Sequence, residues 1–156
     1  MSRPSPWLPS SLLATWFGAG LLPKAPGTWG SLAALPFGLA LFWLSGPLGL
    51  LTATLAVFLL GLWASHSYER ASGTKDPGAI VIDEVAGQWL ALVPAGLDPL
   101  GVALAFVLFR VFDVAKPWPV GWADRNLKGA FGIMADDILA GLYAAVLVYG
   151  ILRFLG

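Results

Sequence analysis

The sequence predicts an all-α, polytopic helical membrane protein with about four to five apolar helices and a carboxylate site on its cytoplasmic face. Three observations carry this. Of 156 residues, 58% are apolar and 12% charged, against about 25% charged in an ordinary soluble domain; mean hydropathy is +0.77. Residues 25–68 hold no formal charge when His66 is neutral. The basic residues gather on one side of the helical layout that follows. The length suits one domain, residues 1–156, with 1–23 as an interfacial N-terminal segment. The chain has no Cys, which excludes disulfides, zinc–thiolate sites and thiol nucleophiles. Zero net charge argues against a nucleic-acid partner.

Residues 7–22 are apolar, with Trp7 and Trp16, but contain Pro9 and Gly18. Arg3 is the only positive charge ahead of this stretch, and no small-residue cleavage site precedes Lys24. The stretch therefore reads as an uncleaved interfacial segment and not as a signal peptide. A membrane span needs roughly 20 apolar residues, so the uncharged run holds two helices, at 31–44 and 48–66. Ser45-Gly46-Pro47-Leu48-Gly49 breaks them, since Gly and Pro punctuate helices; Pro36 is tolerable in the first turns. Residues 85–97 and 100–109 are apolar and meet at Asp98-Pro99. They read as a helical hairpin short for two spans, with a partly re-entrant pair as the alternative. The last helix is expected at 138–154. With the N-terminus in the cytoplasm, Arg3, Lys24, Arg70, Lys75, Lys116, Arg125 and Lys128 fall on one side and only Arg153 dissents, the positive-inside asymmetry.

All nine Asp and Glu lie between Glu69 and Asp137. Asp83-Glu84 is placed at the start of the third helix, where carboxylates favour the N-terminal dipole, and Asp136-Asp137 at the start of the fifth. Arg110 and Asp113, three apart, share a helix face. Singly, each of these is a helix cap or a salt bridge. Three of them on one membrane face of a charge-poor chain point to function, because ionisable residues at membrane depth are costly.

Clustered carboxylates with one His and no Cys form a hard-oxygen site suited to Mg²⁺ or Mn²⁺, an ion that polarises phosphoryl oxygens and activates water. Arg110, Lys116, Arg125 and Lys128 are candidates to hold phosphate oxygens. The lone His66 cannot supply a two-histidine phosphatase mechanism. No Asp-x-Asp is present for an aspartyl-phosphate route, nor the Asp-Gly-x-x-Ala-Arg pattern of alcohol transferases. Direct attack by metal-activated water is the simplest mechanism left.

Four segments then match a known family: Pro26-Gly27-Thr28-Trp29-Gly30-Ser31-Leu32; Lys75-Asp76-Pro77 with Ile80-Val81-Ile82-Asp83-Glu84 and Gly87; Phe109-Arg110-Val111-Phe112-Asp113 with Lys116-Pro117-Trp118-Pro119 and Asp124; and Gly132-Ile133-Met134-Ala135-Asp136-Asp137 with Ala140-Gly141. In this order they closely resemble the phosphatidylglycerophosphatase A family of bacterial inner-membrane enzymes, over about residues 15–141. The resemblance implies an all-helical fold and Mg²⁺-dependent hydrolysis of phosphatidylglycerophosphate to phosphatidylglycerol and phosphate. It further implies that Asp83, Glu84, Asp113, Asp136 and Asp137 carry the metal, one of them serving as base, and that Arg110 and Lys116 bind the phosphate. For Asp124, a structural ion pair with Arg125 stands beside a ligand role.

The glycine-rich start of the first helix has two readings, a tight turn with a cap or an anion-binding helix N-terminus in which Thr28 and Lys24 take part. Lys75 lies within a turn leading to Asp83 and is a further candidate for phosphate. Glu69 reads as a polar residue at a helix end, with a place facing the metal site as the alternative; His66 reads as an interfacial polar residue, and Trp118 and Trp122 as interfacial or lining a lipid approach. Two rival classes stand beside the phosphatase. One is another metal-dependent lipid phosphoryl-transfer enzyme. The other is a small cation-binding transporter, against which count the crowding of acids on one face and the lack of an internal repeat.

Overall fold

A computed structural model describes residues 3–156, and its regular elements are all helical. They are α1 (Pro9–Ala14), a 3-10 turn (Ala19–Leu21), α2 (Pro26–Ser72), α3 (Ile82–Leu92), α4 (Pro99–Ala115), α5 (Val120–Asn126) and α6 (Gly129–Leu155). Pro26 opens α2 at its first turn, where the missing N–H costs nothing. Gly73 closes it in the left-handed conformation, its N–H donating to the Glu69 carbonyl at 2.9 Å. Asp98 caps α4 by accepting from the Gly101 N–H at 2.6 Å, with Pro99 as the first helical residue.

The 47 residues of α2 are not one straight rod. Gly46 has φ 69° and ψ −170°, outside helical space. An unbroken helix of that length would extend about 70 Å at 1.5 Å per residue. Yet Pro26 and Gly27 at its start and Glu69 near its end line the same cavity. The two limbs therefore fold back on each other at the break expected from Ser45-Gly46-Pro47.

Fewer helices qualify as spans than the four to five apolar helices expected, α2 being counted as one although it consists of two limbs joined at Gly46. Among the described residues, two helices, α2 and α6, are long and apolar enough to cross a membrane. α3 has 11 residues and α4 has 17, short of the roughly 20 a span needs. The apolar character of α3 has another cause: nine of its residues, from Ile82 to Leu92, are buried, and the helix packs against α2, α4 and α6. Outward faces elsewhere are apolar. Trp43, Leu48, Leu55 and Leu59 on α2 and Val146 and Tyr149 on α6 are exposed, a belt suited to membrane association.

Two further differences concern the ends of the chain. Part of the N-terminal segment is held in the protein: Ser11, Ala14 and Trp16 are buried, and the Ala14 carbonyl accepts from the Val81 N–H at 2.8 Å. The final helix starts at Gly129, not at 138, because the uncharged run 130–135 extends it upstream. Asp136 and Asp137 therefore sit inside α6, away from its N-terminal dipole.

The crossing of α3 and α6 needs glycine on both sides. A Cβ at Gly141 would lie 2.5 Å from the Gly87 carbonyl oxygen and 3.0 Å from its Cα. Backbone thus meets backbone four residues beyond Asp83 and four beyond Asp137, one helical turn from each carboxylate.

Candidate active site

A cavity of about 710 Å³ opens where the two ends of α2, the start of α3, the end of α4 and the first turns of α6 converge. Eight of the nine acidic residues line it: Glu69, Asp76, Asp83, Glu84, Asp113, Asp124, Asp136 and Asp137; four basic residues join them, Lys75, Arg110, Lys116 and Lys128. Asp98 alone lies elsewhere, as the cap of α4.

The acids form two sets. In the inner set, Asp83, Glu84 and Asp137 each offer a carboxylate oxygen within 4.8 Å of the others. Asp83 and Asp137 are buried, and Asp83 Oδ1, Glu84 Oε2 and Asp137 Oδ2 are buried without a hydrogen-bond partner. Burial, and then the neighbouring charges of Glu84 and Asp137, hold the Asp83 carboxyl well above the usual carboxylate range. Burial raises Glu84 as well, against hydrogen bonding with Asp83 and the attraction of Arg110. Oxygens left unpartnered in a buried, all-carboxylate set are costly as anions and match the hard-oxygen donors that Mg²⁺ takes.

The outer set surrounds Lys116. Its ammonium lies 3.0 Å from Asp136 Oδ2, 3.4 Å from Asp124 Oδ1 and 3.9 Å from Asp113 Oδ1. Burial alone would lower the Lys116 pKa, but Asp136 foremost, then Asp113 and Asp124, override it and hold the ammonium charged. Lys116 occupies the left-handed region at φ 51° as the C-cap of α4, where Gly is the ordinary choice; a side chain there costs about 1 kcal/mol. Arg110 pairs with Asp113 and reaches Glu84 Oε1 at 3.9 Å, joining the two sets. The pairing of Arg110 with Asp113 is the shared helix face expected from their spacing.

The α2 N-terminus presses directly on this pair. A Cβ at Gly27 would stand 2.5 Å from Glu84 Oε1 and 3.1 Å from both terminal nitrogens of Arg110. Gly27→Ala is expected to push Glu84 and Arg110 out of register and lower kcat/KM about 10- to 100-fold, the range for displacing groups that orient a metal site. Steady-state phosphate release at equal protein concentration measures it, and rates matching wild type would remove Gly27 from the site.

Of the sequence candidates, Lys75, Asp83, Glu84, Arg110, Asp113, Lys116, Asp124, Lys128, Asp136 and Asp137 all line the cavity; Lys24, Thr28 and Arg125 do not. The structure adds Asp76 at the cavity and brings Glu69 to it, where Glu69 Oε1 accepts from the Asp76 N–H at 2.7 Å. Its place in Lys75-Asp76-Pro77, between Glu69 and Asp83-Glu84, is the signal that could have drawn Asp76 in.

The family model described as phosphatidylglycerophosphatase A matches residues 12–152. A phosphatidylglycerophosphatase A of Escherichia coli is 44% identical over 97% of this chain and 84% of its own length. One of Haemophilus influenzae is 43% identical over 92% of this chain and 88% of its own. A Bacteroides thetaiotaomicron protein provisionally named phosphatidylinositol-3-phosphatase is 41% identical over 95% of both chains. No solved structure gives a significant match to the chain.

Proposed function

The chain belongs to the phosphatidylglycerophosphatase A family, and from that membership we propose that it hydrolyses phosphatidylglycerophosphate to phosphatidylglycerol and phosphate with the help of Mg²⁺. The observation that carries the reading is the cavity itself: unpartnered buried carboxylate oxygens beside fixed cations, at one end of a helical assembly with an apolar exterior. Asp83, Glu84 and Asp137 are the residues to hold the cation. When bound, Mg²⁺ supplies Lewis acidity toward the phosphoryl group and the attacking water.

The remaining steps belong to side chains. Arg110 keeps guanidinium donors beyond those facing Asp113 and Glu84, since it has five N–H groups; with Lys75 and Lys128 it receives the phosphate dianion and holds it in line. Asp136 is anchored through Oδ2 by Lys116, while its Oδ1 is buried and unpartnered, which suits it to accept the proton of the attacking water. The new water-oxygen–phosphorus bond forms as the bond to the glycerol oxygen breaks, and that oxygen leaves as the hydroxyl of phosphatidylglycerol after taking up a proton. The positive-inside pattern supports a multi-pass protein of the bacterial inner membrane with the cavity facing the cytoplasm. The apolar belt then keeps the acyl chains in the bilayer while the headgroup reaches the carboxylates.

Phosphate release from phosphatidylglycerophosphate in detergent micelles tests the reading, with phosphatidic acid and phosphatidylinositol 3-phosphate in parallel. Release is expected to favour the first substrate, to stop in EDTA and to return on addition of Mg²⁺. No release from it by folded protein, or indifference to EDTA, overturns the proposal. Preference for phosphatidylinositol 3-phosphate instead would move the assignment to the activity named for the Bacteroides relative.

A further inference from the structure

We propose that this centre takes a single divalent cation, at Asp83, Glu84 and Asp137, and that Lys116 is a positioning residue whose ammonium stands where a second ion would otherwise bind, among Asp113, Asp124 and Asp136. The inference rests on the phosphatase reading only in taking the carboxylate centre as the cation site.

Neighbouring residues on a helix project about 100° apart, and Asp136 and Asp137 divide accordingly. Asp137 joins Asp83 and Glu84, whose buried oxygens lack partners. Asp136 turns to Lys116, which also faces Asp113 and Asp124. An ammonium has three N–H donors and no acceptor; here it donates to Asp136 at 3.0 Å and stands within ion-pair distance of Asp124 and Asp113, so its charge is matched by this carboxylate set. Among the described residues the inner triad makes one ion pair, between Glu84 and Arg110 at 3.9 Å. One triad is thus supplied by the chain itself and the other is left for an ion from solution. Because Asp113, Asp124 and Asp136 come from α4, α5 and α6, the same ammonium ties three helices at the cavity mouth and aims the free oxygen of Asp136 inward.

Mn²⁺ binding to the full chain in detergent micelles, counted by electron paramagnetic resonance without substrate, tests this. Wild type is expected to bind one Mn²⁺ per chain. Lys116→Met, similar in length but uncharged, is expected to bind two, the second in the vacated triad. Lys116→Arg restores the fixed charge and is expected to return the count to one. Two ions on wild type, or one on a folded Lys116→Met, overturns the inference while leaving the cation site standing. No Mn²⁺ on folded wild type overturns the cation reading as well. If Lys116→Met loses its helical circular dichroism, the wild-type count decides alone, since one ion upholds a lysine-filled triad and two refute it.

Discussion

Asp83→Asn is expected to reduce phosphate release by at least about 100-fold, beyond the 10- to 100-fold typical of groups that merely orient a metal ligand. In EDTA it is also expected to raise the thermal midpoint above that of wild type. Both effects have one cause. Asp83 is buried beside Glu84 and Asp137, its Oδ1 unpartnered, so its negative charge is unfavourable until a cation arrives. Asn keeps the shape and removes the charge, and with it much of the affinity for Mg²⁺. Each pKa unit by which burial raises the wild-type carboxyl corresponds to about 1.4 kcal/mol at a pH above both values, so the metal-free variant gains on that scale, or about 3 °C per kcal/mol. Phosphate release and thermal melting in micelles, with and without Mg²⁺, measure the two halves. A variant as active as wild type, or one less stable than wild type in EDTA, would contradict the role given to Asp83.

The same carboxyl predicts a pH dependence of definite sign. The folded pKa of Asp83 lies above its ordinary value of 3.8, so the folded state binds its proton more tightly than the unfolded chain. The contribution of this group to stability is full below the ordinary value and is lost as pH rises through the raised one. Metal-free protein should therefore melt at lower temperature as pH increases over that window, and Mg²⁺ should flatten the trend by replacing the proton.

Gly141→Ala carries the second large effect. Inside a helix, Gly to Ala ordinarily stabilises by about 1 kcal/mol. Here the added carbon would meet the oxygen, Cα and carbonyl carbon of Gly87 at 2.5 to 3.1 Å, and backbone cannot move aside as a flexible side chain does. The expected result is a loss of about 1–3 kcal/mol, the usual range for overpacking. Separation of α3 from α6 should also spread Asp83 and Glu84 away from Asp137. Mn²⁺ affinity should fall along with the melting temperature, whereas an ordinary destabilising substitution far from the cavity lowers only the latter. An unchanged melting temperature would contradict a backbone-to-backbone crossing at Gly87 and Gly141.

The helical class was legible because it depends on composition and run length, and the break near Gly46 because Gly and Pro act locally. Which acids line the cavity was legible for a related reason: acids are so scarce in this chain that those between Glu69 and Asp137 stand out, and only Asp98, the cap of α4, falls outside the cavity. The helix count overstated the spans because a hydrophobic run looks the same whether lipid or protein buries it, and α3, read as part of a hairpin short for two spans, is covered by protein. The start of α6 misled because an acidic pair is a common helix-start signal, and here the helix continues through the uncharged residues before it.

By itself, then, the sequence determined a membrane-associated helical protein with a carboxylate cavity and the family to which it belongs. Only the tertiary structure divided the carboxylates into an inner set with unpartnered buried oxygens and an outer set around Lys116. That division depends on how closely α3 and α6 cross at Gly87 and Gly141 and on where the end of α4 delivers one ammonium. These are contacts between residues distant along the chain, set by packing across helices, and no spacing within a single helix encodes them.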